Sequence, residues 1–562
     1  MHTKRRDFLK LNELTSLGIL GQCLLTSASE HSVVSVPSNE SIQQFNRSSY
    51  RAPKLDKIRI WAGIVALSLT LLGSVPVYAQ QKSSKPNIIY IYADDLGYGD
   101  VSAYGASKIH TPNLDRLAAI GIRFTNAHTT SATCTPSRFG LMTGVYPWRQ
   151  QGTGVLPGDA KLIIPTNRIS LPKIFKQAGY HTAVVGKWHL GLGTQVKKDW
   201  NSDVKPGPNE IGFDYSFIFP ATADRVPTVF MENHRVLGLE ENDPIEVDYQ
   251  QLVGNDATGK EHPELLKMHS SPGQGHNQTI VNGIGRIGYM SGGYRARWVD
   301  EEISTTFLSV AQEYIKRNKD NPFFLYFALT EPHVPRMPAT VFKGKSDLGY
   351  RGDAILQLDW TVGQVMDQVE ALGLADNTII IFTSDNGPVL DDGYQDGAIT
   401  QRNGHMPAGP LRGGKYSVFE GGTRVPFIVG GAGVAKGTTS DALICQIDLL
   451  ASVADMLGQA VPPGEAFDSQ ALWSTFLGKD KQGRSHLIEH AGGLGVIKGS
   501  WKYIEPSNGR AYSKLTDTEL GNAPHPQLYD LSKDIGEKNN VADTNPNVVK
   551  ELAAILANER SK

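Results

Sequence analysis

A chain of 562 residues with 40% hydrophobic and 20% charged content has the composition of an ordinary globular protein, and it is too long for one small domain. Its 55 basic and 57 acidic side chains leave a net charge of −2, which argues against a nucleic-acid binder and requires any attraction for an anion to come from a local cluster. Three scattered cysteines, Cys23, Cys134 and Cys445, offer neither a disulfide framework nor zinc-type spacing.

Residues 1–79 read as targeting sequence. Thr3-Lys4-Arg5-Arg6-Asp7-Phe8-Leu9-Lys10 looks like a twin-arginine leader. A second export signal occupies 55–79: Lys57-Ile58-Arg59, an apolar run from Ile60 to Leu72, then Val77-Tyr78-Ala79 as a cleavage site. Two signals in tandem are redundant, so 1–54 are expected to be an extension upstream of a true start near Leu55. The apolar run is too short for a stable membrane span. A periplasmic or secreted protein, cut near Ala79, is expected.

From Pro86 the pattern alternates. Asn87–Ala93 is an apolar run of strand length. Thr111-Pro112 and Ser170-Leu171-Pro172 each open a helix, closed at Gly121 and Gly179. Strands are expected at 182–185, 323–329, 378–382 and 425–429, and helices at 296–317, 352–372 and 447–457. Strands without polar alternation, separated by helices, predict an α/β domain over 80–470, its mostly parallel sheet sandwiched by helices. The stretch 198–295, rich in Gly, Pro, Asn and His, reads as a long insertion over one end of the sheet. From 471 to 562, short strands and a last helix near 546–560 predict a smaller α+β subdomain with an antiparallel sheet.

In a parallel sheet, ligands sit beyond the carboxyl ends of the strands. Four strands here end in polar groups: Asp94-Asp95, Gly186-Lys187-Trp188-His189, Thr330-Glu331-Pro332-His333 and Ser384-Asp385-Asn386. Asp94, Asp95, Asp385 and Asn386 are oxygen donors suited to a hard divalent cation, Ca²⁺ before Mg²⁺. Each pair alone could equally cap a turn. Arg138, Lys187, Lys415, Arg412 and Arg424 would supply the local positive charge. Cys134, followed by Pro136, Ser137 and Arg138, is set to meet an anion.

These residues resemble the type I sulfatases of the alkaline phosphatase superfamily. Cys134-Thr135-Pro136-Ser137-Arg138 matches the Cys-x-Pro-Ser-Arg signature, with Gly144 downstream, and Gly186-Lys187-Trp188-His189-Leu190-Gly191 matches a second one. Asp94-Asp95, Ser384-Asp385-Asn386-Gly387 and the Lys415 segment follow in the family's order, over about residues 85–545. The resemblance implies that Cys134 is oxidised to formylglycine (3-oxoalanine) by a formylglycine-generating or anaerobic sulfatase-maturating enzyme. It also implies that Asp94, Asp95, Asp385, Asn386 and the modified Cys134 hold Ca²⁺, and that Arg138 stabilises the nucleophile. Lys187 and Lys415 would bind sulfate oxygens, His333 would protonate the leaving oxygen, and His189 would take the second diol proton.

Thr222–Pro227 and Asn282–Tyr289 look like segments of bacterial polysaccharide sulfatases, in particular exo-enzymes acting on the 6-O-sulfate of galactose or N-acetylgalactosamine. Asp224, Arg225, Asp391, Asp392, His405 and Arg412 are then the expected substrate contacts. A phosphonate or phosphate monoester hydrolase, and a silent carbohydrate-binding relative that keeps the Cys134 thiol, are the competing readings.

Overall fold

Ten strands form the central sheet in a computed structural model that describes residues 85–562. Cys23 and both export signals lie outside the described residues. The strands used below are β1 (Asn87–Ala93), β2 (Gly121–Phe124), β3 (His181–Lys187), β4 (Tyr215–Phe219), β5 (Phe323–Ala328), β6 (Thr378–Ser384) and β7 (Phe427–Gly431). The helices are α1 (Pro112–Ala119), α2 (Cys134–Thr143), α3 (Leu171–Gln177), α4 (Ile303–Arg317), α5 (Gly349–Ala371) and α6 (Leu449–Met456).

Five strands in the order β6-β1-β5-β3-β4 are mutually parallel, so their carboxyl ends share one edge. All seven residues of β1 are buried. Ile88, Tyr90 and Tyr92 pack on one face with side chains of α2, α3 and α6, while Ile89, Ile91 and Ala93 pack on the other with α1, α4 and α5. Alternating side chains that are all apolar are what a sheet covered on both faces requires.

The structure departs from expectation in three places. The strand near 425–429 is β7, and it pairs antiparallel with β6. No crossover helix spans the sheet between them, so the chain returns along the edge it left. Within 198–295, Tyr215–Phe219 is a strand of the sheet itself, paired with β3. Its aromatic run is short and surrounded by Gly, Pro and Asn, which hides it. The helix expected from 296 begins at Ile303. Val299 is extended, Arg297 bridges to Val229 and Trp298 N–H donates to Thr228 O at 3.1 Å, while Asp300 is taken by Arg286 at 2.6 Å.

The C-terminal part is a four-stranded antiparallel sheet, β8 (Leu487–Ala491), β9 (Gly493–Lys498), β10 (Trp501–Ile504) and β11 (Gln527–Asp530), backed by α7 (Pro546–Ser561). Leu487, Val496 and Ile497 share its core with Leu552 and Leu556. Among the described residues, no helix is long and apolar enough to cross a membrane.

Candidate active site

Because β1 lies between β6 and β5, its terminal Asp94-Asp95 falls beside Asp385-Asn386 on one flank and His333 on the other. Asp385 N–H donates to Ala93 O at 3.1 Å and Asp94 N–H to Glu331 O at 3.0 Å, tying the strand ends together. Asp95 takes a left-handed φ of 63°, His189 one of 56° and Tyr416 one of 74°. Three non-glycine residues in that region at one sheet edge mark a site where side-chain placement overrides backbone preference.

Cys134 is the first residue of α2, whose ten residues are all buried and which ends at Gly144 in the left-handed conformation, its N–H donating to Gly140 O. One turn on, Arg138 grips Asp385 through Nε at 3.0 Å and Nη2 at 2.8 Å, with its guanidinium 5.0 Å above the Tyr92 ring. Burial pushes the Cys134 thiol up, so as a thiol it stays protonated and is a poor nucleophile. Lys187 Nζ lies 2.6 Å from Asp94 Oδ2, and Lys415 Nζ lies 2.9 Å from Asp95 Oδ2 and 2.7 Å from Asp392 Oδ2. His333 donates Nδ1–H to Val334 O at 2.6 Å, leaving Nε2 at 3.8 Å from Asp95 and 4.0 Å from Asp392. Burial, then Lys415 and Lys187, hold that imidazole well below the usual histidine range.

A cavity of about 210 Å³ opens onto this edge. Cys134, His333, Asp392, Lys415 and Tyr416 form one group of lining residues; Asp224, Arg225, Gln274 and His276 form another. Asp224 accepts from Arg225 Nη1 at 3.0 Å and His276 Nε2 at 3.1 Å. Burial alone would raise its carboxyl, but Arg225 and the His276 hydrogen bond outweigh it and hold Asp224 well below the carboxylate range.

Thus Cys134, His333, Lys415, Asp224, Arg225 and Asp392 reach the cavity, while Arg138, Lys187 and His189 lie fully buried and are not among its lining residues. Three expected sugar contacts are engaged elsewhere. Asp391 accepts from Ser271 Oγ at 2.7 Å and Gln274 Nε2 at 3.0 Å, pinning the loop that carries His276. His405 donates to Asp100 at 2.7 Å beside Arg351. Arg412 stacks 4.0 Å over Phe419 and binds Glu519 and the Glu537 carbonyl. Gln274, His276 and Tyr416 were not singled out from the sequence. The only local signal for His276 is its place in Gly273-Gln274-Gly275-His276, where Gly273 and Gly275 take φ values of 80° and 74°.

The donor set fits a hard divalent cation. Asp94 Oδ1 and Asn386 Oδ1 are buried without a hydrogen-bond partner, and such oxygens are costly unless something fills the space between them. Burial, opposed by Lys187 and reinforced by Asp385 and Asp95, pushes the Asp94 carboxyl well above its usual range. Four carboxylates, Asp94, Asp95, Asp385 and Asp392, face three cations, Arg138, Lys187 and Lys415. A dication turns that excess negative charge positive, as an anionic ester requires.

Charge arranged this way at the strand ends of a parallel sheet defines a site for an anionic ester. The Sulfatase family profile matches residues 86–459. An N-acetylgalactosamine-6-O-sulfatase of Bacteroides thetaiotaomicron is 54% identical over 86% of this chain and 94% of its own, and human arylsulfatase A is 30% identical over 83% and 86%. A solved structure from work on the metabolism of multiple glycosaminoglycans by B. thetaiotaomicron superposes with a TM-score of 0.84 at 54% identity, covering 85% of this chain and 100% of that one. The chain belongs to the sulfatase family of the alkaline phosphatase superfamily and is a sulfuric ester hydrolase.

Proposed function

We propose that the protein removes the 6-O-sulfate from a terminal N-acetylgalactosamine or galactose of a sulfated polysaccharide, outside the cytoplasm. The observation that carries this reading is 54% identity across nearly the whole length of an N-acetylgalactosamine-6-O-sulfatase. The cavity of about 210 Å³ is smaller than pockets for drug-sized ligands, which supports exo action on one sugar. The export pattern at 55–79 supports the location.

Asp94, Asp95, Asp385 and Asn386 would hold Ca²⁺, which supplies positive charge to anionic oxygens. Conversion of Cys134 to formylglycine would supply a hydrated aldehyde, with one hydroxyl as the nucleophile toward sulfur and a second whose deprotonation would let sulfate leave. Arg138 orients Asp385 and adds charge behind the residue at 134. His333 presents Nε2 to the cavity and hands a proton to the leaving sugar oxygen. A bound sulfate ester counters Lys415 and Lys187 and raises this imidazole toward the protonated form. His189 donates Nε2–H to Leu156 O at 2.9 Å and its buried Nδ1 has no partner, so that lone pair would be the acceptor for a proton from the residue at 134, although burial and then Lys187 hold the imidazole well below the usual histidine range. Each such proton transfer is worth about 10²–10⁴-fold. Asp224 and Arg225 hold sugar hydroxyls.

The test pairs mass analysis of the peptide containing Cys134 with sulfate release from a panel of 6-, 4- and 2-O-sulfated monosaccharides. The expected result is an aldehyde at 134 and release from the 6-sulfated galacto sugars. An unmodified thiol in fully active protein, or preference for another sulfate position, overturns the corresponding half. Cys134→Ala should abolish turnover in folded protein.

A further inference from the structure

The segment entering α2 and the segment following Lys415 meet at one carboxylate that belongs to neither. Glu489, on β8, is fully buried. Its Oε1 accepts from His128 Nδ1 at 3.1 Å and from the Thr423 hydroxyl, while its Oε2 lies 2.8 Å from Lys502 Nζ. The same ammonium lies 2.8 Å from Glu420 Oε1. His128 is six residues before Cys134 and Thr423 eight after Lys415. The backbone repeats the junction: Ala132 N–H donates to His490 O at 2.9 Å, Tyr416 N–H to Ala132 O at 2.8 Å, and Thr129 N–H to Thr423 O at 2.8 Å. There is no slack, since a Cβ on Gly422 would fall 2.0 Å from Ser417 O and 2.9 Å from the Ala132 Cβ.

We infer that Glu489 is a positioning residue: from the C-terminal sheet it sets the spacing between Cys134 and Lys415, and so governs sulfate transfer and not sugar binding. The inference rests on the placement of both residues at the sulfate end of the cavity. Asp224, Arg225 and His276 share no bond with this junction, so their hold on the sugar is independent of it. Reacting groups displaced by about 1 Å lose on the order of 10²-fold in rate. A glutamine at 489 has one acceptor, and whichever way it turns it sets an NH₂ against either Lys502 or the His128 and Thr423 donors.

The experiment compares wild type, Glu489→Gln and Thr423→Val on 6-O-sulfated N-acetylgalactosamine, with rates divided by the aldehyde content at 134. E489Q is expected to lower kcat per aldehyde by about 10–100-fold with KM within about threefold of wild type. Thr423→Val, which removes one donor and keeps the charge cage, should lower kcat several-fold with the same KM. If E489Q does not fold, Thr423→Val alone decides. Unchanged kcat per aldehyde in the folded variants, whatever happens to Tm, overturns the inference, as does a loss carried by KM. Cys134→Ala, run alongside, separates the premise: its retained activity would sink the assignment of Cys134 and leave any split between kcat and KM in E489Q to be read for Lys415 alone.

Discussion

Two clusters of buried carboxylates among the described residues are built for opposite ends. At the sheet edge, the four carboxylates of Asp94, Asp95, Asp385 and Asp392 face the three cations Arg138, Lys187 and Lys415, and two oxygens, Asp94 Oδ1 and Asn386 Oδ1, accept no hydrogen bond. Beneath it, Glu420, Glu489 and Glu537 surround the ammonium of Lys502 at 2.8, 2.8 and 3.6 Å. In the second cluster the oxygens without a hydrogen bond, Glu489 Oε2 and Glu537 Oε1, face that ammonium at 2.8 and 3.6 Å; in the first, Lys187 and Lys415 turn to Asp94 Oδ2 and Asp95 Oδ2, and Asp94 Oδ1 and Asn386 Oδ1 are left for a cation from outside. His128, Glu420 and Glu489 also converge closely enough to suggest a metal group, as do Asp94, Asp95 and His333. Proximity of ligand atoms therefore does not separate the two, and neither does an internal ammonium, since Lys187 and Lys415 stand in the first; what separates them is whether the ammonium faces the unpartnered oxygens. A buried carboxylate cluster is a ligand site when its unpartnered oxygens face no ammonium from within the chain.

Removing one member from each cluster should break the comparison in different currencies. Asp385→Ala is expected to empty the cation site and lower turnover by about 10²-fold or more, because it removes a ligand and leaves the Arg138 guanidinium unpaired. Elemental analysis checks it: calcium content equal to wild type would refute the assignment of Asp385 as a ligand. Lys502→Met should leave bound calcium stoichiometric but destabilise the fold by about 3–5 kcal/mol, the cost of stranding buried charges by deleting their partner. Denaturant unfolding measures that, and a loss below about 1 kcal/mol would mean the cage is solvated or self-neutralised.

The two clusters also differ in how readable they were. Asp94-Asp95, Asp385-Asn386, Lys187 and His333 each follow an apolar run of strand length, so the rule that parallel strands deliver their carboxyl ends to one edge collects them from sequence. The parallel core and the antiparallel C-terminal sheet followed from the same patterning. Side chains in loops carry no such address. His405 and Arg412 are as polar as Asp224 and Arg225, yet Asp100 and Glu519, 305 and 107 residues away in the chain, claim them. His276 reaches the cavity because Asp391 holds its loop across a similar span, with Gln274 117 residues from that carboxylate. Glu489 sits in a short strand whose inward side looks like any other until Lys502 is placed beside it by antiparallel pairing. Long-range partners decide such residues, and periodicity is silent about them.

The smallest expected effect tests the charge state of the self-answered cluster. Glu537 takes a left-handed φ of 50° and its Oε2 accepts from Glu420 N–H at 2.7 Å. Burial foremost, with Lys502 opposing and Glu420 and Glu489 adding to it, pushes its carboxyl up to about 8. The other charged contact nearby, Arg412, reaches only the Glu537 carbonyl. At neutral pH, then, Glu537 is protonated in the folded protein and ionised in the unfolded chain. The folded pKa lies above the unfolded value, so the favourable contribution is complete below about pH 4.5 and is lost as pH rises toward about 8. Glu537→Gln copies the protonated form and keeps the acceptor for Glu420 N–H. Thermal midpoints measured from pH 5 to 9 should fall less steeply for the variant than for wild type, with the variant relatively more stable at the alkaline end. Parallel curves would show that Glu537 is ionised throughout, and that Lys502 answers three negative charges and not two.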